Sequence, residues 1–363
     1  MAAEITGAYE LVMIKLRVPR QVSGQRLTVL LVVALWALAA SGCSHFIKNK
    51  VSVAPFLPPK VEADTSQLIA EVNRLAQVRS LRGKVDLQFL DNSFAKCGIV
   101  EKYRTSEGNL ILQREGQVYL SINAPFGIKV AEMASDGTHF QVAVFKGDEK
   151  YQRFVRGTNS ATYRRLGGDA SDVDCGGGGQ TKNSAMQQRA VGALSSLRPQ
   201  HLTGALLVAP IDGAQSELIY ARSEAFAEGP DERANAKKGA RVVRSYYTLD
   251  EIMPAGANRA RLLRRFWFDR SEQLRLARVQ TYDEGGQLIT DVVYKNPRPF
   301  GADAKYTLPA DIELTRPQDR YAIRISYQAP EEVKVDQPYD ADIFVLVNKS
   351  NLTEVDLDKK SDE

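Results

Sequence analysis

Side chains that could perform chemistry are few in this sequence and stand apart from one another. The 363 residues include three cysteines and three histidines, and His45, His139 and His201 are isolated from further metal ligands. No Gly-x-Ser-x-Gly, His-Glu-x-x-His or paired Cys-x-x-Cys motif occurs, and these spacings build nucleophilic and zinc sites. The acidic residues form no pattern that distinguishes a catalytic pair from a solvated strand face. The sequence therefore predicts a protein that is not an enzyme and that needs no metal and no cofactor.

One cysteine, Cys43, stands where its thiol would be modified. It follows the small residues 40–42 (Ala-Ser-Gly), which close the uncharged apolar run Leu27–Ala40. A helix over that run would be about 21 Å long, short of the ~30 Å hydrocarbon core of a bilayer. Basic residues precede the run, in the order typical of a secretory signal: Lys15, Arg17, Arg20 and Arg26. The segment resembles a bacterial lipobox, which implies a lipid anchor on Cys43. The alternative is an ordinary signal peptide followed by a chance cysteine.

Removal of a signal peptide over 1–42 changes the charge balance. That segment holds four basic and two acidic residues, so the formal net charge falls from +4 to +2. A nearly neutral chain with scattered charges argues against a nucleic-acid partner. Cys97 and Cys175 remain in the mature chain, and a disulfide or two free thiols both agree with their spacing. Translation from Met1 and translation from Met13 are both left open.

The mature chain divides into a tether, a folded body and a tail. Residues 43–64 contain three prolines and no periodicity, which predicts a lipidated tether. One domain is predicted over 65–347, with loop insertions near 157–185 and 228–240. Its last strand is predicted over Ile343–Val347, and residues 348–363 are predicted to form a polar disordered tail.

Periodicity within the body indicates three helices and many short strands. Asp64 and Gln67 have the spacing of a capping box at the start of an amphipathic helix, a second helix is predicted over about Ala185–Leu197, and Pro199 suits the first position of a third. Elsewhere apolar and polar residues alternate, and Asp136-Gly137 has the signature of a hairpin turn. Alternation that leaves one polar face is typical of antiparallel strands. The sequence therefore predicts an α+β fold that is mostly antiparallel β.

Three passages resemble the LolA/LolB family of lipoprotein carriers, and LolB in particular. Residues 72–87 (VNRLAQVRSLRGKVDL) resemble the family's first helix and the Arg-Gly that leads into its first strand. Residues 119–133 (YLSINAPFGIKVAEM) resemble a strand, an Asn-Pro-Leu-Gly-type turn and the next strand. Residues 308–325 (LPADIELTRPQDRYAIRI) resemble a late hairpin of the family. This chain is longer than those carriers, with added sequence at 148–185 and 228–258.

The resemblance implies a curved, half-open β-barrel with helices over its concave face and an apolar cavity that accepts acyl chains. Alternating strands would supply the dry surface that an acyl chain needs, at about 0.8 kcal/mol per buried methylene group. The expected lining residues are Leu87, Phe89, Leu120, Ile122, Val130, Ile323 and Ile325. The alternative is that these residues fill a solid core.

Phe126 is the expected contact with the membrane. It lies in the turn Ala124-Pro125-Phe126-Gly127, where an aromatic residue is unusual. In LolB the matching turn carries a protruding leucine that aids insertion of cargo into the membrane, and the resemblance gives Phe126 this role. A side chain folded back onto the core is the alternative.

The resemblance and the lipobox together imply an outer-membrane lipoprotein that faces the periplasm. Its expected partners are acylated lipoproteins or lipids, the membrane that holds the anchor, and a periplasmic carrier protein that delivers cargo. In lipoproteins resembling this one, a residue such as Ser44 after the cysteine favours the outer membrane. The competing hypothesis is an envelope-assembly or stress-sensing adaptor that binds a protein partner on the outer face of the sheet.

Overall fold

Antiparallel strands dominate the computed structural model of this chain. The structure describes residues 53–91, 101–102, 105–146, 149, 152–161, 198–212, 217–233, 235–256, 258–271 and 273–359. The predicted signal peptide, Cys43, Cys97, Cys175, most of the insertion near 157–185 and the helix predicted over about 185–197 lie outside these residues, so the predictions about them stay predictions.

The first part of the described chain contains both helices and eight strands. The helices are α1 (Thr65–Leu75) and α2 (Pro199–Leu206). The strands are β1 (Phe56–Leu57), β2 (Ser80–Asp91), β3 (Glu101–Lys102), β4 (Ser106–Gln113), β5 (Gln117–Ala124), β6 (Ile128–Asp136), β7 (His139–Val144) and β8 (Arg153–Thr158).

The second part is a meander of long strands followed by short ones. These are β9 (Ile219–Pro230), β10 (Arg241–Pro254), β11 (Ala260–Asp269), β12 (Arg275–Tyr282), β13 (Leu288–Phe300), β14 (Tyr306–Arg316), β15 (Tyr321–Tyr327), β16 (Lys334–Val335) and β17 (Thr353–Asp356). Short 3-10 turns cover Pro125–Gly127, Pro330–Glu332 and Ala341–Phe344.

One sheet collects these strands in the order β9–β10–β11–β12–β13–β14–β15–β2–β4–β5–β6–β7–β8–β17. Neighbours along this order are antiparallel except β8 and β17, and among the described residues the edge strands β9 and β17 do not pair with each other. Register shifts in the β5–β6, β10–β11, β11–β12 and β12–β13 pairs bend the sheet, because an extra residue on one strand increases its local twist. The predicted fold class, an unclosed and mostly antiparallel sheet with few helices, is confirmed.

The core lies on the face of the sheet that both helices cover. Leu68, Val72 and Leu75 of α1 and Leu202 and Ala205 of α2 are buried there, as helical spacing requires. Strand β14 shows the period of two, with alternate residues from Tyr306 to Leu314 buried. The two predicted helix starts that lie in the described residues are confirmed: Asp64 and Gln67 form the reciprocal capping box, and Pro199 is the first residue of α2.

The end of the chain differs from the sequence prediction. Residues 343–347 form no strand: Ala341–Phe344 is a 3-10 turn that buries Phe344, while Val345 and Val347 are exposed without a partner strand. The tail predicted to be disordered over 348–363 instead contributes β17, which pairs in parallel with β8. The free edge of β8 supplies hydrogen-bond partners that composition alone does not reveal, and Arg156 pairs with Asp356 at 2.9 Å.

The tether predicted over 43–64 is also different in its described part. Residues 54–64 lie against the sheet, where Phe56 and Leu57 pair with β10. The Val243 N–H donates to the Pro55 carbonyl at 2.9 Å, and the Lys60 N–H donates to the Arg270 carbonyl at 2.8 Å. Prolines remove N–H donors from this segment but leave its carbonyls free to accept. We call residues 54–64 the N-terminal strap.

In the part of the chain that the structure describes, no helix is long and apolar enough to cross a membrane.

Candidate functional site

A cavity of 480 Å³ lies on the inner face of the sheet. Its walls come from the C-terminal half of α1, the residues that end and follow α2, and the facing ends of β12, β13, β14 and β15. Most lining side chains are apolar, among them Leu75, Val78, Leu81, Leu206, Val208, Leu274, Leu276, Phe300, Leu308 and Ile312. The charged and amide side chains that line it are half-buried or exposed: Glu71, Arg74, Gln273, Arg275 and Lys295. The arrangement is an apolar pocket with a polar rim.

Helix α1 presents both classes of residue to this cavity. Its apolar stripe turns Leu75 inward, while Glu71 and Arg74 lie one turn apart on the rim. The Arg74 guanidinium donates to both Glu71 carboxylate oxygens, at 2.7 and 2.9 Å. These hydrogen bonds raise the pKa of Arg74, so its charge is secure at neutral pH.

Two polar side chains hold the ends of both helices together, and we call them the helix latch. The Asn73 side chain of α1 donates to the Ile211 carbonyl at 3.0 Å and accepts from the Ile211 N–H at 2.8 Å. Arg114, just after β4, donates to the carbonyls of Ala76, Val78 and Val208 at 2.6, 2.8 and 3.1 Å. The latch thereby satisfies carbonyls beyond the helix ends and determines where the cavity wall runs.

Aromatic residues form the opposite wall. Phe300 and Tyr327 pack edge to face with ring centroids 5.0 Å apart, and the Tyr294 hydroxyl donates to the Ala205 carbonyl at 2.9 Å. Burial raises the pKa of Tyr294 and of Tyr327, so both side chains remain neutral. A Cβ atom at Gly83 would lie 2.9 Å from Val333 and 3.4 Å from the Tyr327 ring. The glycine of the Arg82-Gly83 motif is therefore where the tyrosine wall packs against β2.

Six of the seven residues expected to line an acyl cavity occupy the same apolar interior but not this cavity, and the seventh, Val130, lies outside the core cluster at the register shift between β5 and β6. Leu87, Leu120, Ile122, Ile323 and Ile325 are at most 8% exposed, and Val130 is half-buried. Phe89 stacks on Tyr321 with ring centroids 5.6 Å apart. None of the seven lines the 480 Å³ cavity, so the alternative of a filled core describes the packing of the six here. A role for them in acyl binding stays a prediction.

Phe126 protrudes completely, with 100% of its side chain exposed. Its φ of 68° lies in the left-handed region, which a bulky residue rarely adopts. The alternative that this ring folds back onto the core is therefore wrong. By strand register the turn lies where β4 and β15 begin, whereas the cavity-lining residues Leu81, Leu276 and Tyr327 lie toward the other strand ends.

His201 is part of the core packing. His201 Nδ1 and the Tyr321 hydroxyl are 2.6 Å apart. Burial, with Arg316 and Arg198 nearby, holds the pKa of His201 well below its usual value of 6.5. Within the described residues, no group of three or more His, Cys, Asp or Glu side chains could hold a metal ion. His139 is exposed on β7, apart from the cavity.

Sequence patterns contained only weak signals for the cavity residues. Asn73 and Arg114 look like ordinary polar residues on a helix face and in a turn. The better signal is Asn296-Pro297-Arg298-Pro299 within β13, because proline in a strand marks a place where the ladder is interrupted. Asn296 has a φ of 51°, and Pro297 lines the cavity.

In the described residues, an open antiparallel sheet, two helices on one face and an apolar cavity beneath them define an unclosed half-barrel. No protein family matches the chain, and no curated protein is similar to it at a significant level. Similar solved structures include a LolA superfamily protein from Nitrosomonas europaea, 12% identical, which covers 78% of this chain and 99% of its own with a TM-score of 0.37. A DUF1329 family protein from Desulfovibrio piger is 11% identical, covering 80% and 98%, with a TM-score of 0.37.

A third similar structure is a putative outer membrane lipoprotein-sorting protein domain from Vibrio parahaemolyticus. It is 15% identical, covers 80% of this chain and 99% of its own, and has a TM-score of 0.36. Likeness at this level assigns no function.

Proposed function

We propose that this protein binds acyl chains of lipoproteins, or similar amphiphiles, in the 480 Å³ cavity and passes them to a membrane without covalent chemistry. The proposed setting is the periplasmic face of a bacterial outer membrane, with a lipid anchor on Cys43. The observation that carries the proposal is the apolar cavity, which the latched helices cover and charged residues rim.

Size and polarity of the cavity support an amphiphilic ligand. The volume falls within the roughly 300–1,000 Å³ of small-molecule sites. Each methylene group transferred from water into such a lining contributes about 0.8 kcal/mol. A rim that contains Arg74, Arg275 and Lys295 leaves the polar part of an amphiphile in contact with water and positive charge.

Photocrosslinking in cells tests this proposal. A photoreactive phenylalanine analogue replaces Leu274, a half-buried cavity residue, and in the matched control it replaces Val293. Val293 is half-buried too, but it precedes the cavity residue Tyr294 in β13, and its side chain therefore points to the other face. We expect adducts with acylated cargo from position 274 and none from position 293.

Cargo adducts absent from position 274 would contradict the proposal. If position 293 captured a protein partner at the same time, the adaptor hypothesis would replace it. The same cells carrying Cys43→Ala test the anchor, because an unlipidated chain should leave the membrane fraction.

Phe126 is proposed as the residue that aids insertion of released cargo. Its full exposure and left-handed backbone support a role outside the core. We expect Phe126→Glu to leave cargo uptake unchanged and to stall transfer of cargo into vesicles. Phe126→Leu is the matched control, since it retains an apolar tip. Normal transfer by the glutamate variant would remove this role.

A further inference from the structure

We infer that the protein has a second contact with the membrane, a surface at the N-terminal strap that docks on a bilayer containing anionic lipid. The strap-side surface consists of Phe56, Phe226, Lys60, Lys237 and Lys238. It is separate from Phe126 and requires nothing of the cavity.

Two exposed aromatic rings form its centre. Phe56 on β1 is 51% exposed and Phe226 on β9 is 60% exposed, yet their rings pack edge to face with centroids 5.7 Å apart. Large apolar side chains exposed together in a pair are uncommon on a soluble surface, and aromatic rings are enriched at membrane–water interfaces.

Three exposed lysines supply basic charge on the strap and the adjoining hairpin tip. Lys237 and Lys238 are exposed in the 231–240 tip that joins β9 to β10, and Lys60 is exposed within the strap. The carboxylates of these segments, and Glu224 and Glu228 on either side of Phe226, already have partners: Glu62 and Glu224 pair with Arg270, Glu228 with Arg241, Asp231 with Arg233 and Glu232 with Lys295, and Asp64 caps α1. The three lysines therefore supply the positive charge that an anionic surface meets.

The position of the surface in the chain identifies the bilayer as its occupant. Val53, the first described residue, lies ten residues after Cys43, so an extended chain reaches at most about 35 Å from a lipid on that cysteine. Strand register puts the strap at the same strand ends as the cavity-lining residues Leu276 and Leu308. The choice of the bilayer as occupant rests on the lipid anchor of the proposed function: if Cys43 is acylated, a connecting chain of this length keeps lipid headgroups within reach of the strap-side surface.

The strap is held firmly enough to present this surface. The Tyr247 ring lies between two guanidinium groups, with Arg270 at 3.9 Å and Arg222 at 4.8 Å from its centroid. Arg270 donates to the Val61 carbonyl at 3.2 Å, Arg222 donates to the Ala63 carbonyl, and the Tyr247 hydroxyl donates to Glu62. These contacts orient Phe56 relative to the sheet.

Quenching of an introduced tryptophan by brominated lipid tests the inference. The chain is purified as cells process it, with Phe226→Trp or, as the comparison, Phe126→Trp. Each is mixed with vesicles of brominated phosphatidylcholine containing one quarter phosphatidylglycerol. We expect the emission of the tryptophan at position 226 to be quenched, after subtraction of the parent chain's own signal. We expect no such quenching at position 126 in the cargo-free protein.

A triple variant, Lys60→Gln with Lys237→Gln and Lys238→Gln, supplies the electrostatic test. Each lysine near an anionic surface contributes about fivefold to partitioning into the vesicle-bound state. We therefore expect the triple variant to need at least about ten times the vesicle concentration to reach the same quenching. Quenching at position 226 that does not depend on the lysines or on phosphatidylglycerol would overturn the anionic part of the inference.

Absence of quenching at position 226, whether or not the chain sediments with the vesicles, would overturn the docking surface itself. Capture of a protein by position 226 in place of lipid would do the same. These outcomes are independent of the crosslinks from Leu274, so failure of the docking surface and failure of the carrier proposal are told apart.

Discussion

The two halves of the sheet have the same alternation of apolar and polar residues but differ in how closely their inner faces are packed. In the half formed by β2 and β4–β8, Leu120, Met133, Phe140 and Val142 are almost fully buried, and α2 lies over β5 and β6 while also contacting β14 of the other half. In the half formed by β9–β15, α1 contacts β9 and β12, and a 480 Å³ cavity remains at the ends of β12–β15. The alternation of apolar and polar residues along a strand therefore determines which face of the sheet is apolar. The path of the helices that cover this face determines whether side chains fill the space beneath them.

Truncation of one leucine in each half should give the largest difference in the free energy of unfolding. We expect Leu120→Ala to lower the free energy of unfolding by about 3–4 kcal/mol, because it opens a new cavity in packed surroundings. Leu308→Ala should cost about half as much, because its side chain already borders empty space and makes fewer contacts. Urea unfolding of both variants measures the difference, and equal losses would contradict the contrast between the halves.

The helix latch is the next test. Asn73→Ala removes two hydrogen bonds to the Ile211 backbone and should lower the free energy of unfolding by about 1–2 kcal/mol. Release of an apolar fluorescent probe should also become faster, because α1 is then held less firmly. Glu71→Gln on the same helix is the control, since it weakens only a partly exposed ion pair worth about 0–1 kcal/mol. Unchanged release in stopped-flow measurements would show that the latch does not control the cavity.

Filling the cavity should affect binding more than stability. Leu274→Trp adds volume where space exists, so we expect the affinity for the apolar probe to fall about tenfold, or ~1.4 kcal/mol. Val293→Trp on the other face should leave affinity unchanged. Fluorescence titration measures both, and equal affinities for the two variants would place the binding site elsewhere.

The smallest effect is expected from His201 of α2, which contacts Tyr321 of β15. Its pKa is held well below 6.5 when folded, so below pH 6.5 the unfolded chain binds a proton that the folded chain does not. The free energy of unfolding therefore falls as pH decreases through this range, by up to about 1.4 kcal/mol per pH unit from this group. We expect His201→Gln to reduce that slope in urea titrations between about pH 5.5 and 7.5. An unchanged slope would show that another group is responsible.

Local signals in the sequence predicted most individual elements correctly. The Asp64–Gln67 capping box, Pro199 at the first position of α2 and the Asp136-Gly137 turn depend on neighbours within four residues, and all three form. The strap and the tail were misjudged because both owe their structure to distant partners. Pro55 accepts from Val243, and each residue of β17 pairs with a residue of β8 that lies 200 positions earlier.

The sequence alone was enough to predict the α1 and α2 starts, most strands of the meander and the antiparallel, α+β character of the fold. These follow from residue periodicity and from hydrogen bonds that close within a few residues. The position of the cavity depended on tertiary packing. Asn73 and Arg114 bind backbone carbonyls beyond the helix ends and so fix the distance between the helices and the strand residues Leu276, Phe300 and Leu308. An apolar residue has the same pattern in sequence whether it faces another side chain or a cavity, so residues such as Leu120 and Leu308 are distinguished by packing alone.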